Sequence, residues 1–227
     1  MVNDQKQLNR ILQLIYDNGF SNELVLMGSW NEYFYSQIYE EYETYMATMD
    51  LDFYCVNRNK QKADKSLSSI LIENGFVCSH DSLTNKTTFI NSEFEIEFLH
   101  RITRELSSTV KVPRLDVVAE CLGGMERYEK HVIKYHDDIY NYDVNIVSPA
   151  FYCVHKIVIN SLRKADKQQK DVIAIDNVLK LINCRKELKD EFKSVVYELT
   201  KKERKLFNQN IESLKIDEII NNIMKEQ

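Results

Sequence analysis

Two aspartates spaced two residues apart, Asp50 and Asp52, lie in the run Thr48-Met49-Asp50-Leu51-Asp52-Phe53-Tyr54-Cys55-Val56. Side chains alternate faces along a strand, so the two carboxylates point one way while Leu51 and Phe53 enter the opposite layer. Like charges this close call for a counter-ion, and paired oxygen donors suit a hard divalent cation such as magnesium. Upstream, Leu24-Val25-Leu26-Met27 reads as a short buried strand running into Gly28-Ser29. Glycine lets backbone N–H groups approach an anion, the serine hydroxyl adds a donor, and a helix N-terminus following the turn favours negative charge. Phosphate donors on one strand and an ion-binding carboxylate pair on its neighbour suggest a nucleoside triphosphate site.

The combination of Gly28-Ser29 with Thr48-x-Asp50-Leu51-Asp52-Phe53 resembles the signature of the nucleotidyltransferase superfamily related to polymerase beta. The spacer from Trp30 to Met49 is longer than in its minimal members. The resemblance implies an NTP substrate, a two-ion magnesium site and a third carboxylate from a later strand of the same sheet. Phe94-Glu95-Ile96-Glu97-Phe98-Leu99 alternates most clearly in the chain and offers two candidates, Glu97 and Glu95. Glu97 is preferred because Phe98-Leu99 follows it. Many members carry aspartate here, and a glutamate reaches further. Two glutamates on the solvent face of an edge strand would give the same pattern.

The elements that must position these groups can be read in order. Leu8, Ile11, Leu12 and Ile15 recur at helical spacing behind Asn3-Asp4, with Gly19 as the stop. Trp30, Phe34, Ile38 and Tyr42 fall four apart, predicting a helix from Trp30 to about Tyr39 whose aromatic stripe is core or a stacking surface. A helix is expected from Lys60 to Glu73, stopped by Asn74-Gly75, then strands over Phe76–Ser79 and Lys86–Ile90. Leu115 to Leu122 reads as a short helix before Gly123-Gly124. His131–Tyr135 and Tyr142–Val147 read as a hairpin carrying surface polar residues rather than a metal site.

Ser148-Pro149 is a strong helix start, with serine at the cap and proline in the first turn. Two helices follow that resemble a family pattern in which a lysine, a later arginine and a Lys-Asp pair face the nucleotide. Transferred here, these are Lys156, Arg163, Lys170 and Asp171. Cations there would offset the charge of a triphosphate and its departing pyrophosphate; ordinary surface lysines would look alike. Two or three further helices are expected from Glu187 to Gln227; nothing in them suggests chemistry, and they fit a role in packing or in holding an acceptor.

The expected architecture is α/β (α+β): a nucleotidyltransferase-like mixed, mostly antiparallel sheet with flanking helices over residues 1–147, a helical domain over 148–227, and the nucleotide in the cleft between. The resemblance makes the chain a transferase moving a nucleoside monophosphate to an acceptor hydroxyl on RNA or tRNA, a protein or a small molecule. The Gly28-Ser29, Thr48-x-Asp50-x-Asp52 and Lys170-Asp171 pieces together look most like bacterial abortive-infection and toxin-type enzymes, a type for which an antitoxin is a possible partner. The alternative is an inactive nucleotide-binding or scaffold protein on the same fold.

Composition sets outer bounds. The 227 residues are 44% hydrophobic, enough for a full core, and the five cysteines contain no C-x-x-C, which suits reduced thiols in a cytoplasm. No apolar run reaches the length of a membrane span, and no basic-then-apolar leader is seen at Met1-Val2-Asn3-Asp4. The formal charge of −5 is uneven: 14 Lys plus Arg face 23 Asp plus Glu up to His155, and 16 face 12 beyond it. An acidic part joined to a mildly basic part suits phosphate chemistry, as would plain solvated helix faces.

Overall fold

A computed structural model describes residues 2–42, 48–56, 61–102 and 108–225. The chain divides into two compact units, Met1–Phe34 with Met46–Val147, and Tyr35–Tyr45 with Ser148–Gln227.

The first unit is a mixed sheet with helices. Its elements are α1 (Val2–Asp17), β1 (Leu24–Leu26), the start of α2 (Trp30–Ile38), β2 (Asp50–Cys55), α3 (Leu67–Glu73), β3 (Val77–His80), β4 (Thr87–Ile90), β5 (Glu95–Arg101), β6 (Thr109–Val112), β7 (Val117–Leu122), β8 (Val132–Asp137) and β9 (Tyr142–Val147). The main path of the nine-stranded sheet is β3-β4-β5-β2-β1-β9-β8, with β7 also on β5 and β6 on β7. Neighbours on β1–β2, β3–β4, β4–β5, β6–β7 and β8–β9 run antiparallel, whereas β2–β5, β5–β7 and β1–β9 run parallel. The mixed sheet with flanking helices is the architecture expected.

Period-two burial explains these strands. On β5, Ile96, Phe98 and His100 are buried while Glu95, Glu97 and Leu99 are half-buried. The aromatic stripe of α2 is core: Trp30 and Phe34 are fully buried, Trp30 packs on Phe94, and its indole N–H donates to the Thr48 carbonyl at 3.2 Å. A stacking surface at Trp30 is thereby excluded.

Two expectations need correction. Leu115–Leu122 is not helical; it supplies β7, in which Val117, Ala119 and Cys121 are buried alternately. The glycine pair that looks like a helix stop follows a strand instead. Thr109–Val112, which showed no clear signal, becomes β6 because Asp116, at φ 57°, closes the turn that folds it onto β7. The helix expected from Lys60 begins at Leu67, capped by the Ser66 hydroxyl, which accepts from the Ser69 N–H; Lys60 lies outside the described residues.

The second unit is helical: α4 (Pro149–Ile159), α5 (Ala165–Cys184), α6 (Lys186–Tyr197), α7 (Lys201–Leu214) and α8 (Asp217–Lys225). Ser148 caps α4 by accepting the Phe151 N–H, with Pro149 in the first turn, as the sequence predicts. Asn210 on α7 is buried and its amide donates to the Ile157 carbonyl at 2.7 Å, satisfying an orphan acceptor at the end of α4. Thr200 and Glu203 form a capping box on α7. Among the described residues no helix is long and apolar enough to cross a membrane.

Burial inside both units gives a pH signature. The thiols of Cys55 and Cys153 are pushed well above the usual 9.0 by burial. The phenols of Tyr54 and Tyr142 are pushed well above the usual 10.0, first by burial and then by Glu129 beside Tyr54 and Asp137 near Tyr142. All four keep their protons in the folded chain at a pH where the unfolded chain loses them. Each therefore favours the fold below its ordinary value, and that contribution is lost as the pH climbs past 9 to 10. We expect the melting temperature to fall steeply above pH 9, and Tyr54 and Tyr142 to ionise only with unfolding. Tyrosinate absorbance followed alongside circular dichroism checks this.

Candidate active site

β2 and β5 build the floor of the site. They pair in parallel with Asp50 opposite Glu95, Leu51 opposite Ile96 and Asp52 opposite Glu97. One face of the pair thus carries four acidic residues on strands about 5 Å apart. The other carries Leu51, Phe53, Ile96 and Phe98, none more than 1% exposed. Burying each of these contributes about 2 kcal/mol, about 8 kcal/mol together. Repulsion between two facing carboxylates at that spacing costs about 1–3 kcal/mol. The apolar face therefore prevails, and the acidic face is held in place from behind.

The Gly28-Ser29 turn lies directly against this face. Gly28 adopts φ 70°, a conformation strained for any L side chain, and a Cβ added there would meet Asp52 Oδ2 at 3.2 Å. The Met27 N–H donates to the Asp52 carbonyl at 2.8 Å, so the strand leading into the turn is tied to the strand carrying the pair. Gly28→Ala is expected to cost about 1–2 kcal/mol of backbone strain and to displace the Asp52 carboxylate. Transfer should fall far more than the melting temperature does, as paired rate and thermal-shift measurements will show.

Asn31 is a positioning residue that sequence reasoning passed over. It is fully buried, and its amide N–H₂ donates to the carbonyls of Leu26 at 3.1 Å and Gly28 at 3.0 Å. Its side-chain oxygen accepts the Val147 N–H at 2.8 Å, so one amide pins the end of β1, the turn and β9. The sequence shows only a polar residue between Trp30 and Glu32 in the first helical turn.

Glu97 is already engaged. Lys86 Nζ lies 2.7 Å from Glu97 Oε1 and 3.4 Å from Glu120 Oε2, where Glu120 comes from β7. Burial pulls the Lys86 ammonium down, but Glu97 and then Glu120 outweigh it and raise its pKa. Glu95 has no described cation beside its carboxylate, and its N–H donates to the Met49 carbonyl at 2.8 Å. Among the described residues, no three Asp, Glu, His or Cys side chains are gathered as a metal-binding group. In chemistry and register, the oxygen donors of Asp50, Asp52, Glu95 and Glu97 fit a hard divalent cation.

The predicted phosphate-binding cations are all in the second unit. Asp171 on α5 is 2% exposed, and Lys156 Nζ donates to its Oδ1 at 2.5 Å. Arg163 Nε stands 3.2 Å from Oδ2 without an aligned hydrogen bond. Lys156 also lies over the Tyr152 ring, 4.9 Å from its centroid. Asp171 therefore holds the two cations together, leaving a net positive charge. Lys170, beside it, is exposed.

The family model described as "Nucleotidyltransferase" matches residues 6–199, most of the chain. The chain belongs to this nucleotidyltransferase family. In three dimensions the nucleotidyltransferase is similar to the crystal structure of an antigenic nucleotidyltransferase-like protein from Paracoccidioides brasiliensis. The TM-score is 0.52 at 13% identity, over 95% of this chain and 93% of that one. At that identity the likeness establishes the fold. No curated protein matches in sequence.

Proposed function

We propose that this nucleotidyltransferase moves a nucleoside monophosphate from an NTP to an acceptor hydroxyl with two magnesium ions. The observation that carries the reading is the β2–β5 register, which sets Asp50 and Asp52 beside Glu95 and Glu97 with the Gly28 turn against Asp52. Asp50, Asp52 and Glu97, with Glu95 as the alternative third carboxylate, would hold the ions. Magnesium would supply positive charge to activate the acceptor hydroxyl and to stabilise the leaving pyrophosphate. Gly28 and Ser29 bind the β and γ phosphates through backbone N–H groups and the serine hydroxyl. Lys156, Arg163 and Lys170 contribute positive charge for the triphosphate, Asp171 fixing the direction of the first two. The acceptor oxygen bonds to the α-phosphorus as the bond to the β-phosphate breaks.

The proposal extends to the acceptor and the setting. The acceptor is an RNA end, tRNA included, a protein, or a hydroxylated small molecule. The setting is a bacterial cytoplasm in which the enzyme acts as a toxin restrained by an antitoxin. Support for that setting is the likeness of Gly28-Ser29, Thr48-x-Asp50-x-Asp52 and Lys170-Asp171 to such enzymes.

A second reading, a nucleotide-binding scaffold without turnover, is favoured by the Lys86–Glu97 pair, which leaves the third carboxylate engaged elsewhere. One experiment separates the two: incubation with each labelled triphosphate, magnesium, and total RNA, protein or metabolite pools. The enzyme releases pyrophosphate and labels one pool. Nucleotide binding without pyrophosphate release in any pool selects the scaffold.

A further inference from the structure

Lys86 stands just ahead of β4 and reaches two carboxylates that belong to different strands. β4 runs antiparallel to β5 with Thr88 opposite Glu97, and β5 runs parallel to β7 with Leu99 opposite Glu120. Alternation then puts Lys86, Glu97 and Glu120 on the sheet face that also carries Asp50 and Asp52. The Lys86 side chain is 21% exposed, with its ammonium 2.7 Å from Glu97 and 3.4 Å from Glu120. It is unequally shared between an acid next to the aspartate pair and one a strand further away.

We infer that Lys86 is a latch on the divalent-ion seat. Its ammonium holds Glu97 Oε1 at 2.7 Å, so a divalent ion that takes Glu97 must displace it. When Glu97 turns to the aspartates, Glu120 keeps the ammonium, so its charge is never left half-buried and unpaired. An unpaired charge in that position would be costly, and the second acid removes that barrier to opening. Lys86 and Glu120 are thus positioning residues with opposite effects: the lysine competes with the incoming ion for Glu97, and Glu120 weakens the competition. The inference rests on the reading of Asp50, Asp52 and Glu97 as an ion seat.

The test is a calorimetric titration of Mn²⁺ alone, with no nucleotide, into the full chain. Lys86→Met, and Lys86→Gln as a polar variant should the methionine misfold, is expected to tighten Mn²⁺ binding by about tenfold. Glu120→Gln is expected to weaken it several-fold, because the ammonium then grips Glu97 alone. In the Lys86→Met background the Glu120→Gln effect should largely disappear, since Glu120 acts through the lysine. A merely structural role for Lys86 would lower the melting temperature and leave the Mn²⁺ affinity where it was. Unmoved affinities, weaker binding in the lysine variants, or an equal Glu120→Gln effect in both backgrounds overturn the latch while the ion seat stands. Absence of Mn²⁺ binding by the wild-type chain overturns the seat and the latch together.

Discussion

Asp52→Asn should reduce nucleotidyl transfer by roughly 10³-fold or more while leaving the fold intact. The size follows from the proposed role: a carboxylate that held the ion would supply several kcal/mol of transition-state stabilisation, and about 4 kcal/mol is a factor of 10³. The preserved fold follows from where stability resides. Leu51, Phe53, Ile96 and Phe98 hold β2 and β5 from the opposite face, and asparagine keeps the size of aspartate while removing one of the crowded negative charges. The melting temperature should therefore be unchanged or slightly raised. Pyrophosphate release and thermal melting on one preparation measure both quantities. Transfer at the wild-type rate would rule out Asp52 as an ion ligand.

Asp171→Ala should do the reverse in the second unit, with stability as the main loss. Its carboxylate is buried and holds Lys156, itself 11% exposed, at 2.5 Å, with Arg163 alongside. Removing one member of a buried pair leaves an uncompensated charge and costs about 3–5 kcal/mol. That is a large share of the roughly 5–15 kcal/mol by which a domain is stable. At about 2–4 °C per kcal/mol for a chain of this size, the melting temperature should drop by roughly 10 °C. If the variant melts with the wild type, Asp171 is not the counter-ion that organises the two cations. Lys170→Ala provides the contrast: this side chain is exposed, so stability should hold while nucleotide affinity falls.

These variants separate two uses of charge within one chain. On the sheet, negative charges are crowded together and the apolar layer behind carries the cost. In the helical unit, two positive charges are collected on one buried acid. The sequence displays both groups of residues without displaying the difference. Asp52 and Asp171 are each an aspartate near apolar neighbours; one is half-buried on the acidic face of the sheet, and the other is sealed beneath a lysine.

Local order was legible wherever one segment contains its own reason. Phe94 to Leu99 alternates, so the strand and its acidic face were readable, as were the face shared by Asp50 and Asp52 and the Ser148-Pro149 helix start. Val117 to Leu122 misled because Val-Val-Ala-Glu-Cys-Leu before two glycines satisfies a helix template as well as a strand template, and only pairing with β5 and β6 decides between them. By itself, then, the sequence determined the element types with strong periodicity, the acid pair beside a glycine turn, and the family those pieces resemble. Tertiary structure alone decided that β2 lies parallel to β5, which sets Asp52 opposite Glu97, that Lys86 occupies Glu97, that Asn31 pins the turn, and that Asp171 is buried. Most of those outcomes depend on contacts between residues far apart in the chain, Lys86 and Glu97 being 11 positions apart and Asn31 and Val147 116. A periodicity of two or 3.6 residues tells which face a side chain takes but carries no information about which distant side chain will meet it there.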